Sequence, residues 1–192
     1  MKNLMRVFLL ITVLTLAACG GNKVETTMNE PVEDFEATTQ DGDTLTRDDL
    51  KGQWWVADFI FTNCTTVCLP MTSNMKKLQD KLEEAGVENY HLVSFSVDPE
   101  RDTPEVLKQY AEDYDADLSN WTFLTGYEFD YIKDLAVNSF KNLVAAPAEG
   151  DDQIMHGSYF FLVNPDGEVI KNYSGTEADE MDQIVEDLKN LQ

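Results

Sequence analysis

Positive charge, histidine and cysteine are all scarce in this chain of 192 residues: 14 Lys and Arg face 36 Asp and Glu, with two His and three Cys. The resulting formal charge of -22 repels nucleic-acid phosphates and anionic headgroups, so a nucleic-acid partner is not expected. It favours cations and basic partners, although solubility alone would produce the same acidity. A long apolar run is missing as well. Val7 to Leu16 comes closest, and it is about half of the ~20 residues a spanning helix requires. Three cysteines cannot build a disulfide scaffold, and no internal repeat or low-complexity tract suggests a second domain.

What is present begins at the N-terminus. Lys2 and Arg6 precede the Val7 to Leu16 run, as in a secretory signal. The run ends in Leu16-Ala17-Ala18-Cys19-Gly20, which resembles the lipobox of bacterial lipoproteins. That resemblance implies a diacylated Cys19 as first mature residue and an extracytoplasmic protein anchored to the cell membrane. Residues 1–18 are then a signal peptide, 19–30 a flexible linker and 31–192 one domain, long enough for a sizeable core. Loss of Lys2 and Arg6 takes the formal charge from -22 to -24. The linker is polar and spans on the order of 20 Å root-mean-square. Cys64 and Cys68 remain, in a compartment that permits disulfides. A bridge between them closes a very small loop and removes little entropy from the unfolded chain, so it makes a poor staple. The pair calls for a chemical explanation.

From Pro31 onward strands and helices alternate. Phe35–Thr39 and Thr44–Thr46 flank a turn containing Gly42 and predict a hairpin. The dense apolar run Trp54–Phe61 predicts a buried central strand. Met71, Met75, Leu78 and Leu82 have helical spacing over Met71–Glu84, with a stop at Gly86. His91–Val97 predicts the next buried strand, and Asp102-Thr103-Pro104-Glu105 opens a helix running to about Tyr114. Trp121–Leu124 is a strand and Glu128–Phe140 a helix, followed by a mobile loop over residues 142–153. Gly157–Val163 and Glu168–Asn172 are strands joined at Asn164-Pro165-Asp166-Gly167, and Ala178–Leu191 is a closing amphipathic helix. This order fits an α/β, thioredoxin-like mixed sheet flanked by helices, with an N-terminal β-hairpin and a central insertion.

The expected strand ends at Thr62, and Cys64 and Cys68 sit where a helix begins. Cysteines four apart there share one face, with sulfurs able to bridge a metal or each other. A helix N-terminus lowers thiol pKa, so thiolates form near neutral pH. Two soft thiolates suit Cu(I) or zinc, and an added imidazole extends the range to Cu(II).

Four stretches taken together closely resemble the Sco/SenC family: Thr62-Asn63-Cys64 through Cys68, Pro70-Met71-Thr72, Ser96-Val97-Asp98-Pro99-Glu100-Arg101-Asp102-Thr103-Pro104, and His156-Gly157-Ser158. The resemblance runs from about Pro31 to the C-terminus. It implies a thioredoxin-like protein that binds one copper through two cysteines and a histidine. It further implies service in assembly of the dinuclear copper (CuA) centre of cytochrome c oxidase, by copper delivery, thiol reduction or both. The oxidase subunit carrying CuA is the implied partner, with a copper donor and a thiol reductant beside it. Carried over, the ligands are Cys64, Cys68 and His156, with Asp98 behind them or serving only as a turn residue. Leu69 stands where the family often has proline.

His156 has an argument of its own. In thioredoxins a cis-proline faces the dithiol just ahead of a strand; here Ile154-Met155-His156-Gly157 offers an imidazole at the comparable place. His91 lies inside an apolar strand and reads as structural. Met71 and Met75 share a helix face with Leu78 and Leu82 and read as core rather than as copper ligands. A thiol–disulfide oxidoreductase working through Cys64 and Cys68 is the alternative function, although Cys-x-x-x-Cys departs from the usual Cys-x-x-Cys of that class. A peroxidase is disfavoured, since no proline-preceded Thr-x-x-Cys occurs at Cys64.

Overall fold

A computed structural model describes residues 24–66 and 68–192, so the signal segment and Cys19 lie outside the described residues. In chain order the strands are β1 (Glu30–Pro31), β2 (Glu36–Thr39), β3 (Thr44–Thr46), β4 (Trp54–Ile60), β5 (Tyr90–Ser96), β6 (Trp121–Thr125), β7 (Val144–Ala145), β8 (Met155–His156), β9 (Tyr159–Val163) and β10 (Glu168–Ser174). The helices are α1 (Cys68–Glu84), α2 (Pro104–Asp113), α3 (Phe129–Phe140) and α4 (Glu180–Leu191). Among the described residues no helix is long and apolar enough to cross a membrane.

Eight strands form one sheet in the order β1-β10-β9-β4-β5-β6-β2-β3. β4, β5 and β6 run parallel, while β9 pairs antiparallel with β4 and β2 with β6. The Trp54–Phe61 run is apolar on both sides because β4 is interior and covered on both faces. Its alternate residues Trp55, Ala57 and Phe59 pack with Ile132, Leu135 and Phe140 of α3. Val56 and Ile60 meet Met71, Met75 and Leu78 of α1, with Leu107 of α2 and Ile184 of α4 in the same cluster. Helices on both faces of a mixed sheet give the thioredoxin-like α/β architecture, and β2 and β3 are the expected added hairpin.

Four local expectations change. α1 begins at Cys68 rather than Met71, because Pro70 lies in its first turn, where a missing N–H costs nothing. Residues 142–153 are not all loop: Val144–Ala145 pairs with Met155–His156 as a second, two-stranded sheet. The strand expected over Gly157–Val163 begins at Tyr159, and Gly157-Ser158 separates it from β8. The end of the expected linker lies on the sheet edge. Thr27 and Met28 both donate to the Ile170 carbonyl at 3.0 Å, and Glu30 pairs with Val169, covering part of an otherwise open edge strand.

Candidate metal centre

The cysteine segment leaves the sheet at the end of β4, and one buried carboxylate fixes how it leaves. Asp102, fully buried, accepts from the Thr62 amide at 3.2 Å, the Thr62 hydroxyl at 2.6 Å and the Ser96 hydroxyl at 2.6 Å. Thr62 is thereby tied to the end of β5 and to the turn before α2. Two residues on, the Cys64 amide donates to the Phe61 carbonyl at 3.3 Å. Its sulfur then accepts from the Cys68 amide at 3.4 Å. That amide is among the unpaired donors at the start of α1, so the Cys64 sulfur caps the positive end of the helix.

His156 arrives from the other side. β8 presents alternate side chains to opposite faces: His156 is half-buried and its Nε2 lies 3.2 Å from the Cys68 sulfur, whereas Met155 is exposed. Nδ1 is 3.1 Å from the Gly157 carbonyl, which can only accept. Nδ1–H therefore donates to that carbonyl, and Nε2 is the ring nitrogen that faces the sulfurs. The Phe61 ring meets the imidazole edge to face at 5.8 Å between centroids. One donor atom each from Cys64, Cys68 and His156 lie within 4.8 Å of one another. Both thiols are free and buried.

The two cysteines differ electrostatically. Burial pushes the Cys64 thiol up, but hydrogen bonds from His156, Cys68 and the Thr66 and Cys68 amides outweigh it and bring it down to about 6. Burial drives Cys68 the other way, well above the usual thiol range, and the neighbouring Cys64 adds to the rise. The site thus offers one ready thiolate and one thiol that ionises only with a partner to compensate it. Beneath it on β4 is Asp58, fully buried, with no hydrogen-bond partner for either carboxylate oxygen. Burial raises it to about 7, and the nearby Ser94, opposite on β5, and His156 offset part of that rise.

Asp98 does not reach the sulfurs or the imidazole through any hydrogen bond among the described residues. It is buried, and its carboxylate accepts from Arg101 at 3.0 Å. The same guanidinium nitrogen donates to the Asp152 carbonyl at 3.4 Å. Asp98 thus touches the loop ahead of His156 through Arg101. His91 donates to or accepts from the Thr122 hydroxyl at 2.8 Å, away from the dithiol, and Met71 and Met75 are fully buried in the core. Three residues with a part here carry no local sequence signal: Asn63, Asp152 and Gln153 join the cysteine and histidine segments directly. Asp58 could have been noticed as the one charge inside the Trp54–Phe61 run.

The SCO1/SenC family model matches residues 23–192. A SCO1/SenC family lipoprotein from Bacillus anthracis strain Ames is similar at a TM-score of 0.80 and 45% identity, covering 85% of this chain and 95% of that one. BsSco, a member of the Sco family of cytochrome c oxidase assembly proteins described for its disulfide switch, gives a TM-score of 0.78 at 47% identity, covering 86% and 95%. ScoI of Arabidopsis thaliana with copper bound gives 0.70 at 25% identity, covering 82% and 97%. A match across almost the whole described chain, on a fold that brings the two cysteines and the late histidine together, establishes that this protein belongs to the SCO1/SenC family.

Proposed function

We propose that Cys64, Cys68 and His156 bind one copper ion, and that the protein serves assembly of the CuA centre of cytochrome c oxidase. The observation that carries this reading is the convergence of two sulfurs and one imidazole nitrogen within 4.8 Å. Two soft donors and a neutral imidazole fit copper in either common oxidation state. Bound copper is cargo, and the residues supply its hold and its release. Cys64 enters as thiolate, and Nδ1–H of His156, fixed on the Gly157 carbonyl, keeps Nε2 available. Cys68 must lose its proton on loading, so copper uptake releases protons. Relatives support the assignment: a copper-bound ScoI and a Sco protein of oxidase assembly share this fold. The lipobox at Cys19 and the likeness to a family lipoprotein support an extracytoplasmic, membrane-anchored location.

The asymmetry of the two thiols favours a second use of the same site. A Cys64 thiolate beside a protonated Cys68 is the arrangement of an attacking and a resolving thiol. In that reading the pair reduces the copper-ligand cysteines of the oxidase subunit. Oxidase activity in a strain lacking this gene separates the two. Rescue by added copper supports delivery. Rescue by the His156→Ala variant, but not by Cys64→Ala, supports reduction. Normal oxidase activity without the gene, at low copper, contradicts both.

A further inference from the structure

Gln153 lies three residues ahead of His156, and all of its side-chain amide is engaged. Its Oε1 accepts from the Thr65 amide at 3.2 Å and from the Thr65 hydroxyl at 3.3 Å. Its Nε2 donates to the Asn63 carbonyl at 3.1 Å and to Asp152 Oδ1 at 2.9 Å. One side chain therefore grips the backbone on both sides of Cys64, from a segment 88 to 90 residues away in the chain. Asp152 adds a parallel tie, its Oδ2 accepting from Asn63 Nδ2 at 2.8 Å.

From Gln153 the chain has little freedom before it reaches the imidazole. Ile154 is buried in the core, and Met155–His156 is paired with Val144–Ala145. The hydrogen bonds of Asp151 to the amides of Asp152 and Gln153 are local to the loop. Beyond the Gln153 and Asp152 contacts, the tie from Arg101 to the Asp152 carbonyl is longer, at 3.4 Å, and made by an exposed side chain. Of the polar ties between the histidine segment and the backbone flanking Cys64, the Gln153 amide makes the most.

We propose that Gln153 is a positioning residue for the metal centre, clamping the histidine segment to the backbone flanking Cys64 and so holding the imidazole on the two sulfurs. This rests on the copper-binding reading above. Partners that orient metal ligands without touching the metal typically contribute about 10- to 100-fold in affinity, and Gln153→Ala is expected to speed copper release to a chelator by that factor. Its sulfur-to-Cu(II) absorption should weaken and its Cu(II) electron paramagnetic resonance spectrum should divide into two species, with and without nitrogen coupling. Gln153→Glu keeps the acceptor for Thr65 but loses both donors and sets a carboxylate against the Asn63 carbonyl and the Asp152 carboxylate, so it should release copper at least as fast as Gln153→Ala. In the His156→Ala background, Gln153→Ala should change release little, because its effect passes through the imidazole. A Gln153→Ala protein with wild-type spectrum and release rate overturns the proposal, as does an equal acceleration in both backgrounds. If the wild-type protein itself binds no copper, the function proposed above fails instead. The clamp is then read in metal-free protein from the nuclear Overhauser contact between the His156 and Phe61 rings, which Gln153→Ala should abolish. Its persistence in that variant contradicts the clamp.

Discussion

Asp58 carries a cost that nothing around it repays with a hydrogen bond. A carboxyl with no partner, buried in an interior strand, is held protonated far above its usual range, to about 7. Its folded-state pKa is raised above the unfolded value, so the folded state binds the extra proton. Its contribution is fully present below the unfolded pKa and is lost as pH rises towards 7. The cost accumulated above that window is on the order of 4 kcal/mol. Asp58→Asn removes the charge and should gain stability relative to wild type between pH 4 and pH 8. Urea denaturation of both proteins at the two pH values measures this, and an unchanged difference would refute it.

At the scale of elements, the two-stranded sheet of β7 and β8 does what the main sheet cannot: it turns His156 back towards α1. Gly157 lets it lie close. A Cβ there would stand 2.0 Å from Asn142 Oδ1, and the Asn142 amide is itself buried with no partner for its oxygen or nitrogen. Gly157→Ala must therefore push β8 away or displace Asn142. Overpacking of this kind costs about 1–3 kcal/mol, and thermal unfolding should register the loss together with weaker metal binding. A variant as stable as wild type with an unchanged site would show that the close approach is not needed.

The elements legible in the sequence are those with enough residues to display a period or a cap. β4 announced itself by its apolar density, and α2 by Thr103 and Pro104, where the Val106 amide does donate to the Thr103 hydroxyl. β1, β7 and β8 have two residues each and no period to read. The cysteines and His156 could be named because the stretches that contain them resemble the Sco/SenC family, and because His156 falls where a residue faces the dithiol of this fold. Asn63, Asp152 and Gln153 are ordinary polar residues, and only the fold reveals that they meet across 88 to 90 positions. Asp98 was singled out by the motif that contains it, yet Asp102 in the same stretch makes the contacts that anchor the cysteine segment.

For the described residues as a whole, the fold is a two-sided core that brings three donor atoms together from segments far apart in sequence. Cys64 and Cys68 come from the end of an interior strand and the start of a helix, and His156 from a small ribbon beside them. The formal charge of -22 over the full chain favours cations and basic proteins as partners. The central claim is that these three residues act together on copper. Titration of the reduced, metal-free protein with Cu(II), followed by sulfur-to-copper charge-transfer absorption, tests it most directly. One equivalent should saturate an intense band in wild type, Cys64→Ser and Cys68→Ser should each abolish it, and His156→Ala should weaken Cu(II) binding sharply. A His156→Ala protein that binds Cu(II) as tightly as wild type would contradict the account.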